Sequence, residues 1–86
     1  MVKTVKNDLI GKVVHYYDKI GVAVIELKKP LNVGDRIKFV KGENSFEQQV
    51  GSMQFDHVQI SEGKKGQEVA VKVDNKVGSG TLVYKA

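Results

Sequence analysis

The run LKKPLNVGDRIKFVKG, from Leu27 to Gly42, holds the chain's lone proline, a Gly-Asp pair and an alternating stretch. Ile37 and Phe39 alternate with Arg36 and Lys38, the period of a strand with one buried face. An abrupt reversal precedes it. Gly34 takes positive φ without a Cβ clash, and Asp35 can accept hydrogen bonds from nearby backbone N–H groups in an Asx-type turn. Leu31 and Val33 are expected to pack inward as the chain crosses one end of the fold. This is the corner chemistry of a small β-barrel.

Working outward, period-2 patterns dominate and long helical stripes are absent. From Gln67 to Asp74, Val69, Val71 and Val73 share one face, and Glu68, Ala70 and Lys72 the other. Val22 to Leu27 is apolar on both faces, as for a strand covered on both sides or at a barrel seam. Leu9 to Asp18, rich in Val and Tyr, and Leu82 to Lys85 read as further strands. Lys19-Ile20-Gly21, Lys41 to Ser45, Glu62 to Gly66 and Gly78-Ser79-Gly80 read as turns. In Phe46 to Ile60 the phase slips at Gly51-Ser52, which predicts a β-bulge that bends one long strand. Phe39 and Phe55 are expected in the core. Five or six short strands joined by such turns predict an all-β fold, a small closed Greek-key barrel of about six strands. A tail, residues 1–7, precedes a single barrel domain, residues 8–86.

Composition narrows the function classes. The chain has 86 residues, enough for one core. It has no cysteine, which excludes disulfides and thiolate metal sites. The amino terminus lacks the apolar stretch of a signal peptide, and no run approaches the ~20 apolar residues of a membrane span, so the cytoplasm is the expected compartment and no membrane association is expected. Lysine and arginine total 14 against 10 acids, a formal charge of +4. Arginine, the better bidentate reader of phosphates, occurs once, at Arg36. The lysine excess reads either as a solvated surface or as a polyanion footprint.

Four motifs carry a resemblance to a known family: Gly11-Lys12-Val13, Leu31 to Asp35, Val50-Gly51-Ser52-Met53 and Gly66 to Val71. Together they resemble the β-barrel domain that follows the GTPase domain in translation elongation factors. The likeness runs from about Leu9 to Lys85. It is similar above all to small stand-alone elongation-factor-like proteins and to the barrel at the carboxyl end of some collagenase-like peptidases, an impression strengthened by His15-Tyr16-Tyr17 and Lys19 to Val24. Two positions depart from the pattern: Gly80-Thr81 stands where the family has a second Gly-Asp, and Gly63 where it commonly has alanine. The matched motifs are corners and core positions, so the resemblance implies a fold and brings no catalytic or ligand residue.

Catalytic chemistry is not assembled by these residues. Gly63-Lys64-Lys65-Gly66 lacks the spacing and the following helix of a phosphate-binding loop. His15 and His57 stand alone, with no ligand cluster around either. Ser52 and Ser79 sit in turn or bulge contexts rather than a nucleophile elbow. No cofactor, no metal and no enzymatic activity are expected. The leading reading is a non-enzymatic binding module that contacts RNA, tRNA or the ribosome through a lysine-rich face. Its candidate residues are Lys12, Tyr16, Tyr17, Lys19, Lys28, Lys29, Arg36, Lys38, Lys64 and Lys65; whichever of the adjacent tyrosines points outward supplies a stacking surface. The alternative is a protein-interaction adaptor that supplies a barrel in trans to a larger peptidase-like or GTPase partner. A stand-alone enzyme ranks third.

Overall fold

The structure, a computed structural model, describes residues 9–86; the expected tail, residues 1–7, and the expected domain start at residue 8 lie outside the described residues. Ten strands form: β1 (Leu9–Tyr17), β2 (Val22–Leu27), β3 (Leu31–Asn32), β4 (Arg36–Lys41), β5 (Asn44–Gln49), β6 (Met53–Phe55), β7 (Val58–Ile60), β8 (Glu62–Gly63), β9 (Glu68–Lys72) and β10 (Leu82–Lys85). No helix occurs among the described residues, so the all-β expectation holds.

Eight strands join in the order β5-β4-β10-β1-β2-β9-β6-β7, and β3 pairs with β8 in a separate ribbon. Every ladder is antiparallel. No ladder among the described residues joins β5 to β7, so the expected closure into a six-stranded barrel is not found as strand pairing. Single hydrogen bonds tie the two ends of the sheet to the β3–β4 corner instead. The Val33 N–H donates to Ser61 O (2.9 Å), the Gly34 N–H to Val50 O (2.8 Å) and the Val50 N–H to Asp35 O (2.8 Å). A core of alternating side chains fills the interior, with Val13, Ile25, Leu31, Ile37, Phe39, Met53, Val69, Val71 and Val83 all at 1% exposure or less.

Three corners share one construction. Turns at 32–35, 64–67 and 78–81 each close with a backbone bond: Asp35 N–H to Asn32 O (3.1 Å), Gln67 N–H to Lys64 O (3.1 Å) and Thr81 N–H to Gly78 O (3.2 Å). The third residue of each is a glycine, with φ of 98°, 89° and 91°, the value a type II turn requires there. The fourth is polar and its side chain returns to the first residue. Asp35 Oδ2 accepts from the Asn32 N–H (2.9 Å), Gln67 Oε1 accepts from the Lys64 N–H (2.8 Å), and the Thr81 hydroxyl donates to Gly78 O (2.7 Å). Threonine thus holds the third corner by donating where Asp35 and Gln67 accept.

Several local expectations are corrected. The slip at Gly51-Ser52 is not a bulge: β5 ends at Gln49, the chain leaves the ladder, and β6 changes partner from β4 to β9. The bulges lie in β1, where the register shifts between Leu9 and Gly11 against β10 and between Val13 and His15 against β2. Phe55, expected in the core, is 37% exposed, because the β6–β9 ladder stops at Gln54. Val33, expected inward, is 39% exposed, because it occupies the outer arm of the 32–35 turn.

Candidate interaction surface

The bulge at Val14 decides how the two tyrosines point. Val13 pairs with Ile25 and His15 with Val24, so the extra residue inverts the alternation after Val13. Tyr16 therefore turns in and packs against the core, while Tyr17 lies outside at 49% exposure. The Tyr17 ring meets His15 edge-on at 4.3 Å. Tyr17 pairs with Val22, and Val22 with Lys72; one row along, His15, Val24, Ala70 and Gln54 face each other across four strands. With Ile20 at 59% exposure at the strand end, this outer surface of β1, β2, β9 and β6 exposes two large apolar side chains, Tyr17 and Ile20, among polar neighbours. Tyr17, Val24 and Ala70 line a shallow cleft on it, of about 190 Å³, together with the polar Gln54, His57, Asp56 and Glu68.

The ten candidate residues separate in space. Lys28, Lys29, Lys64 and Lys65 come to one end of the sheet, because Leu27 O accepts from the Gly66 N–H (2.9 Å) and draws the 64–67 corner against the end of β2. Arg36 opens β4 at the same end and pairs with Glu47 (3.2 Å). Lys29 and Arg36 share a cleft of about 360 Å³ with Lys85, a cation that sequence reasoning missed. Lys38 sits mid-sheet between Tyr84 and Glu47, and Lys12 opposite Glu26. Lys19 belongs to the turn after Tyr17, at the far end. The exposed tyrosine and the cation-rich end are therefore at opposite ends of β1, whereas binding of single strands needs both on one track.

A third feature is a seam. β5 is a terminal strand with β4 as its one ladder partner among the described residues, and the segment after β9 runs beside its free edge. Gln48, 6% exposed, bridges the two: its Nε2 donates to Lys72 O (2.9 Å) and its Oε1 accepts from the Asp74 N–H (2.8 Å). Past that bridge the seam opens into a cleft of about 220 Å³ between Ser45 and Phe46 on one side and Lys76, Val77 and Gly78 on the other. Beneath it Phe39, 1% exposed and part of the core, stacks on Phe46 with ring centres 4.9 Å apart. Sequence reasoning assigned Phe39 to the core, where it lies, but missed the seam and had no signal for it, because β5 and β9 are distant in the sheet order and only its curl brings residues 45 and 76 together.

Among the described residues no three His, Asp or Glu side chains lie close enough to hold a metal ion. Ser79 occupies the turn position expected of it, between Gly78 and Gly80.

No family model matches the chain. An uncharacterised protease of Methanocaldococcus jannaschii is 42% identical over 76 residues, 87% of this chain and 19% of that protein. The chain thus spans about one fifth of the curated relative it matches. Among solved structures, the C-terminal domain of a Geobacillus thermoleovorans protein described as a candidate U32 peptidase superposes with a TM-score of 0.86 at 20% identity, covering 100% of this chain and 99% of the domain. Its selenomethionine variant superposes with a TM-score of 0.85, covering 90% and 98%. The chain has the fold of that peptidase C-terminal domain. The peptidase side of the expected resemblance is thereby supported, and the elongation-factor side receives no support from these similarities.

Proposed function

We propose that the chain is a non-catalytic accessory domain that works with a peptidase body, joined to it or supplied in trans. One observation carries this reading: close sequence similarity to a protease is confined to one fifth of that protease. The match in fold to a peptidase C-terminal domain supports it, as do the exposed apolar side chains of Tyr17 and Ile20. In this reading the sheet acts as a Greek-key barrel whose last seam is bridged by the Gln48 side chain instead of a ladder. The test mixes this chain with the M. jannaschii protease shortened by its matched segment. Co-elution that survives high salt, with no peptide hydrolysis by the free chain, is expected; separate elution at both low and high salt overturns the proposal.

A second reading, RNA contact, draws on the gathering of Lys28, Lys29, Arg36, Lys64, Lys65 and Lys85 at one end of the sheet. It requires tRNA binding that weakens steeply as salt rises. Binding that is absent at low salt removes it.

A further inference from the structure

We propose that the cleft between the connection after β2 and the adjoining ends of β4 and β10 binds a dianionic phosphate group. Three elements bring cations to it. The Lys28 and Lys29 N–H groups both donate to Ile10 O (2.6 and 3.2 Å), which pins the connection after β2 over the start of β1 and sets Lys29 at the cleft. Lys85 pairs with Ile37 across the β10–β4 ladder, and the Ala86 N–H donates to Arg36 O (3.0 Å). The backbones that carry Lys85 and Arg36 therefore run side by side. Together Lys29, Arg36 and Lys85 line about 360 Å³. That volume is the share of about twelve waters at ~30 Å³ each, room for a phosphate and part of what carries it.

Charge selects the occupant. Among the described residues Asp35 is the one carboxylate in the lining, against three cations, so the cleft keeps two positive charges in excess. Asp35 is itself engaged, its Oδ2 accepting from the Asn32 N–H (2.9 Å). Arg36 gives its Nε–H to Glu47 Oε1 (3.2 Å) in an exposed pair that water screens. Its guanidinium carries four further N–H donors in a planar fork suited to phosphate oxygens. The Lys85 ammonium and the Asn32 side-chain amide make no hydrogen bond or ion pair among the described residues, and both are open to an anion. Ile10, Leu31 and Ile37 also border the cleft but are 5% exposed or less and belong to the core, so a ligand meets mainly the polar groups and Pro30. A phosphate dianion answers both excess charges, where a carboxylate answers one, and its oxygens accept from all these donors. The inference goes beyond a general attraction to RNA, whose internal phosphates carry one charge each. It also stands wherever a peptidase body docks.

The experiment is an NMR titration of the full chain with sodium phosphate at about pH 8, where phosphate is a dianion, with chloride adjusted to hold the ionic strength constant. The backbone amide signals of Asn32, Arg36 and Lys85 are expected to shift saturably. Acetate should bind about tenfold more weakly, for want of one charge-assisted hydrogen bond. Lys85→Gln and Arg36→Gln should each weaken phosphate binding about tenfold, while Lys64→Gln with Lys65→Gln leaves it unchanged. Should Arg36→Gln fail to fold, Lys85→Gln, at an exposed position, decides alone. Ribose 5-phosphate separates the two sources of the group: tighter binding than inorganic phosphate assigns the cleft to a phosphate monoester, and equal or weaker binding to the free ion. No saturable shift, shifts confined to other regions, equal affinity for acetate, or an affinity that Lys85→Gln leaves intact would overturn the proposal.

Discussion

Gly63 is buried, and the reason that a glycine stands there is steric. A Cβ at this position would lie 2.6 Å from Leu27 Cδ1, 3.1 Å from Val69 Cγ1 and 3.3 Å from Met53 Sδ, all in a filled core. Gly63→Ala is expected to cost about 1–2 kcal/mol in urea unfolding, overpacking outweighing the entropy lost by the unfolded chain. Gln48 is the polar counterpart. It alone satisfies a carbonyl and an N–H on the far side of the seam, so Gln48→Leu leaves both without that partner. The expected loss is about 2–4 kcal/mol, read by the same measurement; a loss below about 1 kcal/mol would mean that water replaces the bridge. Gly34 and Asp35 did announce their corner in the sequence, since positive φ and a short side-chain acceptor are properties of single residues. Gln48 did not, because its partners lie 24 and 26 residues away.

Elements differ in how far their own residues specify them. Strands β2, β4 and β9 follow alternation that any window reveals, and their buried faces are the expected ones. The phase slip near Gly51 was visible, yet its cause was a change of partner strand, which local pattern cannot separate from a bulge. The β6–β7 hairpin is the element least suited to its sequence. Its two-residue turn uses Asp56 and His57 at φ of 54° and 65°, a conformation in which Asn-Gly is preferred. Asp56→Asn with His57→Gly is expected to stabilise the chain by about 1 kcal/mol, since two left-handed residues lose their steric cost. No rise in thermal midpoint would show that these side chains make compensating contacts.

At the scale of the molecule, the distribution of surface chemistry separates the functional readings. The exposed apolar side chains of Tyr17 and Ile20 occupy one region, and the cation-rich corner occupies the opposite end of the sheet. Tyr17→Ala with Ile20→Lys should weaken association with a peptidase body more than tenfold, while unfolding free energy stays within about 0.5 kcal/mol, as for exposed positions. Lys64→Glu with Lys65→Glu should leave that association intact and reduce any tRNA binding. Titration by light scattering or gel shift distinguishes the two; the reverse pattern would exchange the readings.

Glycine corners, alternating valines and the absence of cysteine settled the fold class and excluded thiolate chemistry before any coordinate was known, because these depend on the backbone freedom and reactivity of individual residues. Which tyrosine faces outward, which lysines are neighbours and where the sheet fails to pair were decided in three dimensions. A one-residue bulge, a partner exchange between strands and a side chain spanning a seam each depend on groups far apart along the chain, and no local window contains them.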